Sequence, residues 1–100
     1  MGEYKNFFLE RLAIINYNIA IHEGNANERL ASQSIKILLL PLEEVPNHYK
    51  NQFKELLKMI KDESKELPKG ISFNKFLGKH NKTAVKYIKL LIEIYDIVKE

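Results

Sequence analysis

Apolar residues recur three and four positions apart in four segments of the chain, and this spacing is typical of helices with one buried side. Together with helix start and stop signals, it predicts four α-helices over residues 3–22, 26–40, 46–65 and 72–99. No strand-like alternation and no internal repeat interrupts the pattern. We therefore expect an all-α protein: a compact four-helix bundle in a single domain, residues 1–100, in which helices adjacent in sequence pack antiparallel.

Glycine, asparagine and proline residues mark the boundaries between these helices. Gly24 is expected to stop the first helix in a left-handed conformation, which a residue without Cβ adopts easily. Asn25 is expected to cap the second helix, and Glu28 completes a capping-box pair with it. The second helix ends at a proline, and a short link containing one 3₁₀ turn leads to Pro46, the expected first residue of the third helix.

The third and fourth helices each carry a single apolar stripe. Ser72 is the expected cap of the fourth helix. The apolar stripe continues past Gly78, and a break or kink there, with Asn81 capping the continuation, is the alternative. The stripe of the third helix consists of Tyr49, Phe53, Leu56, Leu57 and Ile60. The stripe of the fourth consists of Phe73, Phe76, Leu77, Ala84, Tyr87, Ile88, Leu91, Ile92, Tyr95 and Val98.

The first helix differs because its apolar residues lie on too many sides. One stripe contains Phe8, Leu12, Ile15 and Ile19, and a second contains Leu9, Ala13, Tyr17 and Ala20. A third contains Phe7, Ile14 and Ile21, each seven residues apart. A surface helix of a small bundle needs only one apolar arc. Either this helix lies centrally among the other three, or its third stripe is the surface that binds a partner.

A narrow polar line runs along the same helix through Arg11, Asn18 and His22. One interpretation is a small polar site in which His22 acts as acid, base or ligand, assisted by Arg11 or Arg29. The other interpretation is an ordinary exposed arc, with Glu23 and Arg29 forming an ion pair across the following turn.

Lysines recur on one face of the fourth helix. They are Lys75, Lys79, Lys82, Lys86 and Lys89, and the same face continues with Glu93, Asp96 and Glu100. Residues 67–100 carry seven basic and three acidic side chains, so the basic excess lies there. This lysine stripe is either a track for phosphates or for an acidic protein, or a solvated polar face. The stripe contains no arginine and no interleaved aromatic residue, which weakens the first interpretation.

The composition of the chain excludes several kinds of catalytic and metal-binding site. The chain has no cysteine, which excludes disulfides, thiolate nucleophiles and cysteine-ligated zinc. Its three histidines, His22, His48 and His80, are too scattered to suggest a metal site, and there is no glycine-rich phosphate loop. The sequence thus predicts no catalytic residues, no metal and no cofactor. No segment has the pattern of a signal peptide or a membrane span, so we expect a cytoplasmic location and no membrane partner.

These patterns favour a non-enzymatic helical interaction module. We expect a small subunit or accessory protein of a larger assembly, or a homo-oligomer, and the abundance of Lys, Ile and Asn is typical of AT-rich bacterial or phage genomes. The alternative is an accessory nucleic-acid-binding protein that uses the lysine stripe without reading base sequence. An enzyme built on His22 is the third hypothesis.

Overall fold

The computed structural model describes the chain over residues 2–66 and 81–100, and the side chains over residues 7–61 and 81–100. Within those ranges it contains helices and no strand, which confirms the expected all-α class. The elements are α1 (Gly2–Ile21), α2 (Ala26–Ser32), α3 (Ser34–Leu38), a 3₁₀ turn (Leu42–Glu44), α4 (Asn47–Glu66) and α5 (Asn81–Val98).

The helix α5 is central to the described fold, because it packs against α2, α1 and α4. Its buried side is formed by residues three and four apart, which a helix places on one face. The core that these helices enclose also receives the predicted first stripe of α1 and the apolar stripe of α4. Its fully buried members include Phe8, Leu12, Ile15, Leu30, Ile37, Phe53, Leu56, Ile60, Leu91 and Ile94.

The turn between α1 and α2 forms at the predicted place for a different reason than predicted. The expected left-handed conformation of Gly24 is wrong, since its φ lies outside that region. The glycine is needed for space instead. A Cβ atom there would lie 2.8 Å from Cε1 of His22 and 2.9 Å from Cβ of Glu28. The predicted capping box is confirmed: Glu28 N donates to Asn25 Oδ1 at 2.9 Å, and Asn25 N donates to Glu28 Oε1 at 3.3 Å.

The predicted second helix over residues 26–40 is wrong in one respect, because it is two helices with a break at Gln33. Gln33 has φ −105° and ψ 10°, and its N–H donates to the carbonyl of Leu30, three residues back. Hydrogen bonds from polar side chains stabilise this break. The Ser32 hydroxyl donates to the Arg29 carbonyl at 2.7 Å, and Gln33 Nε2 donates to Ser32 Oγ at 3.2 Å. Side chains that bond locally to the backbone compete with a regular helix.

The link to α4 confirms the predicted 3₁₀ turn, which Val45 N closes by donating to the Leu42 carbonyl at 3.1 Å. The next helix begins one residue later than expected. Pro46 precedes its first turn and accepts a hydrogen bond from Tyr49 N at 2.9 Å through its carbonyl.

The last helix was predicted over residues 72–99, and the described part runs from Asn81 to Val98. The expected cap at Ser72, the break at Gly78 and the first part of the apolar stripe lie outside the described residues, which omit 67–80. Asn81 has a structural role. Its Oδ1 accepts a hydrogen bond from Asn27 N at 3.1 Å, and this bond joins the start of α2 to α5.

Candidate functional site

The α1 helix presents a row of exposed apolar side chains. Phe7 is 46% exposed, Ile14 50% and Ile21 59%. Tyr17, which the sequence pattern placed in a different stripe, is 64% exposed beside them. We call these four residues the α1 face. Three of them are those that sequence spacing had proposed for binding a partner.

The interpretation that α1 lies centrally among the other helices is wrong for this side of the helix. The main contacts of α1 are with α5, α2, α3 and the 3₁₀ turn, and the residues of α1 that are buried lie on the side opposite the α1 face. The stripe that contains Leu12 and Ile15 is buried on that side. Because helices around α1 occupy only part of its circumference, the α1 face has no neighbour among the described residues.

Two charged residues, Glu10 and Arg11, lie between Phe7 and Ile14 on α1, and both are exposed. The guanidinium carbon of Arg11 is 4.6 Å from the centroid of the Phe7 ring, a cation–π distance. No other charged residue occurs between positions 7 and 21. The α1 face is therefore apolar with one acid and one base beside it, and its net charge is zero.

Exposed apolar surface continues from α1 onto α5. A groove of about 370 Å³ lies between these two helices and the start of α2, which contributes Ala26 and Arg29. Ala20 of α1 lines one side, and Val85, Ile88 and Ile92 of α5 line the other. Val85 and Ile92 are themselves exposed. The apolar surface beside α1 is thus wider than the helix itself.

Two further exposed apolar residues, Ile35 and Leu39, were missed at the sequence level. They lie four residues apart at the two ends of α3, which also packs against α1. The signal was the nearly unbroken apolar run from Ile35 to Leu40. A helix of five residues buries one side only, so part of such a run stays exposed.

The polar line of Arg11, Asn18 and His22 does not converge on a site. Asn18 Nδ2 donates to Gln33 Oε1 at 3.2 Å, and His22 Nδ1 accepts from Gly24 N at 2.9 Å. Each polar side chain thus has its own structural contact. The expected ion pair between Glu23 and Arg29, both described residues, is also absent, because Arg29 Nε donates to the Gly24 carbonyl at 2.7 Å.

The lysine stripe is described in part. Lys75 and Lys79 lie outside the described residues, and Lys82, Lys86 and Lys89 are all exposed. These three line a groove of about 700 Å³, which Gln52 of α4 borders from the other side. Three lysines and one acidic residue, Glu93, therefore line one concave surface.

Among the described residues, one aromatic ring lines this groove, and it is buried. Tyr87 is 6% exposed, and the ammonium nitrogen of Lys86 lies 5.3 Å from its ring centroid. Burial raises the pKa of the Tyr87 hydroxyl above its ordinary value, and the negative charge of Glu55 raises it further. A ring held in this way packs the core and is not open for a nucleic-acid base to stack on.

Comparison of the chain with protein-family models, curated proteins and solved structures gave no match. In the described part of the chain, no cluster of three or more His, Asp or Glu side chains is arranged to hold a metal ion. None of the described helices combines the length and apolarity needed to cross a bilayer.

Proposed function

We propose that the chain is a non-enzymatic helical interaction module that docks through the α1 face, as a small subunit of a larger assembly or as a homo-oligomer. The observation that carries this proposal is the exposure of Phe7, Ile14, Tyr17 and Ile21 in one row. Single exposed apolar residues are common on protein surfaces, but a contiguous row is a feature of interaction sites.

The surroundings of the α1 face agree with this role. The apolar groove between α1 and α5 enlarges the surface that a partner could cover. The polar residues that would support the enzyme hypothesis are engaged in the fold instead, with His22 Nδ1 bonded to the backbone of Gly24. A partner helix packed against α1 would remove apolar area from water, which stabilises a complex by about 25 cal/mol per Å² before the costs of association.

The test is a triple variant of the α1 face, Phe7→Ser, Ile14→Ser and Ile21→Ser. Two properties of the wild-type chain are measured: its mass in solution by light scattering, and its binding of an anilinonaphthalene sulfonate dye. We expect the wild type either to associate or, as a monomer, to bind the dye. The triple variant should lose both properties and keep its helical circular dichroism, because all three side chains are exposed.

The matched control replaces three exposed apolar residues elsewhere: Ile35→Ser, Leu39→Ser and Ile97→Ser. It removes a similar amount of exposed apolar surface, so it should retain the association or dye binding of the wild type. Equal loss in both variants would mean that the α1 face has no special role. A wild-type chain that is strictly monomeric and binds no dye would contradict the proposal altogether.

A second candidate function is non-specific binding of nucleic acid by the lysine stripe. The supporting observation is that Lys82, Lys86 and Lys89 line one groove. Lysine contacts to phosphate release counterions, and each contact with duplex DNA contributes about −0.9 to the slope of log affinity against log salt concentration. Three lysines therefore predict a slope of about −2.7.

Its test is a salt titration of DNA binding with two charge-matched variants. Lys82→Glu, Lys86→Glu and Lys89→Glu should abolish binding. The control changes the exposed lysines Lys36, Lys54 and Lys58 to Glu and gives the same net charge, so it should keep most of the affinity if the groove is the binding site. A slope near zero, or no binding even at low salt, would remove this candidate.

A further inference from the structure

We infer that the occupant of the α1 face is a second copy of this chain, packed antiparallel through α1 with the two-fold axis at Ile14. This inference rests on the proposed docking role of the α1 face and specifies its partner. The pattern of the face, its charges and the position of its neighbours carry the argument.

Three of the four residues of the α1 face, Phe7, Ile14 and Ile21, are spaced symmetrically about Ile14. Phe7 and Ile21 are each seven residues from Ile14, so they lie about 10 Å from it along the helix axis in opposite directions. An antiparallel copy centred on Ile14 places Ile14 at the level of Ile14, and Phe7 at the level of Ile21 of the second copy. Each of these three side chains then meets another of the three, whereas Tyr17 lies at the level of Arg11 of the second copy. A two-fold interface uses the same patch on both chains, and this patch is self-complementary.

Charge favours the antiparallel direction over the parallel one. In a parallel pair, the two Glu10 side chains would lie at the same level beside the contact between the two helices, and so would the two Arg11 side chains. Like charges would then repel each other. In the antiparallel pair, Glu10 is at the level of Asn18 of the second copy and Arg11 at the level of Tyr17. The two Glu10 residues are then about 12 Å apart along the axis, and at that distance surface charges are largely screened at physiological salt.

Charge also favours a second copy over a strongly charged partner. Glu10 and Arg11 are the only ionic groups between positions 7 and 21, so the face is neutral and attracts neither an acidic nor a basic surface. The other neighbours of α1 pack on its opposite side, which leaves the face accessible along its whole described length. Among the described residues, no element would have to move for two copies to meet there.

The absence of cysteine from the sequence allows a direct test with single-cysteine variants. Facing positions on packed helices have Cα atoms close enough for a disulfide, which requires about 4.4–6.8 Å. Under mild oxidation, Ile14→Cys should cross-link to itself, because it lies at the two-fold axis. Phe7→Cys alone and Ile21→Cys alone should not, since like residues are about 21 Å apart along the axis. An equal mixture of these two variants should give the mixed dimer.

Asn51→Cys, an exposed position on α4, is the control for random collisions and should remain uncross-linked. Sedimentation of the unmodified wild-type chain from about 1 µM to 1 mM should show a monomer–dimer equilibrium. Efficient self-cross-linking of Phe7→Cys would overturn the inference in favour of a parallel pair. A chain that is monomeric throughout this range would overturn the second copy as the occupant. In that case dye binding by the monomer would still leave the proposed docking function standing, so the two failures are distinguishable.

Discussion

Gly24 shows how a single residue fixes the corner between α1 and α2. Around it, His22 Nδ1 accepts from Gly24 N, and Arg29 Nε donates to the Gly24 carbonyl. The side chains that make or flank these bonds fill the space where a Cβ would stand. The corner therefore depends on the small volume of glycine and not on its conformational freedom.

We expect Gly24→Ala to lower the free energy of unfolding by about 1–3 kcal/mol, the usual cost of inserting a methyl group into packed structure. The Cβ of Glu28 is attached to the backbone and cannot swing aside, whereas the His22 ring can move. Urea unfolding measures the effect. In a His22→Ala background the loss should be smaller, as a double-mutant cycle would show. An alanine variant as stable as the wild type would contradict the crowding argument.

Tyr87 is the residue whose ionisation should affect stability. Burial, and then the negative charge of Glu55, raise the pKa of its hydroxyl in the folded state, whereas the unfolded state ionises near pH 10. Between those two pKa values the folded state binds more protons than the unfolded state. The contribution of Tyr87 to stability is therefore constant below about pH 10 and decreases as the pH rises through that range.

The measurement is urea unfolding of wild type and Tyr87→Phe between about pH 8 and pH 11.5. The wild type should lose stability more steeply above about pH 10 than the variant, because the variant lacks the group with the raised pKa. The other tyrosines are present in both proteins, so the difference between the two curves isolates Tyr87. Parallel curves for the two proteins would show that the pKa of Tyr87 is not raised by folding.

At the scale of elements, α1 has two apolar sides, one buried in the core and one exposed. Phe8, Leu12, Ile15 and Ile19 hold the helix on the core, and the α1 face lies on the exposed side. Helical geometry separates the two sets because residues three, four and seven apart lie on one side of a helix, and the sets start at adjacent positions, Phe7 and Phe8, which point in different directions.

The two sides of α1 should respond differently to truncation. Leu12→Ala removes a fully buried side chain and should cost about 2–5 kcal/mol. Ile14→Ala, two residues away and half exposed, should change the stability of the isolated chain by about 0.5 kcal/mol or less. Denaturant unfolding at low protein concentration compares them without a contribution from association. Similar losses in both variants would mean that Ile14 belongs to the core.

For the molecule as a whole, association through the α1 face would add to stability by mass action. Any partner that binds only the folded chain raises its apparent stability as concentration rises. At a concentration of about 100 times the dissociation constant, a dimer gains roughly 1.5 kcal/mol per chain, which corresponds to a rise in Tm of roughly 6–12 °C for a domain of this size. Ile14→Asp should remove the concentration dependence, because it places two carboxylates at the two-fold axis. Calorimetry over a concentration series measures both, and a wild-type Tm that is independent of concentration would contradict the dimer.

Much of the local structure was readable from the sequence because local chemistry produces it. The capping box of Asn25 and Glu28 depends on residues three apart, and the core stripe of α4 follows from helical periodicity. The break at Gln33 was not readable, because it depends on the Asn18 amide of a different helix as well as on Ser32. The groove that joins the described lysines to Gln52 also depends on how α4 and α5 pack.

The sequence by itself determined the all-α class, most helix boundaries and the three apolar stripes of α1, since each follows from spacing within one segment. Only the tertiary structure decided which of those stripes lacks a neighbour. Burial depends on how many helices surround α1 and at what angles, and that is a property of the packed whole. The same packing decided that Asn18 contacts Gln33 at the helix break, and that Phe7, Ile14, Tyr17 and Ile21 remain exposed to water.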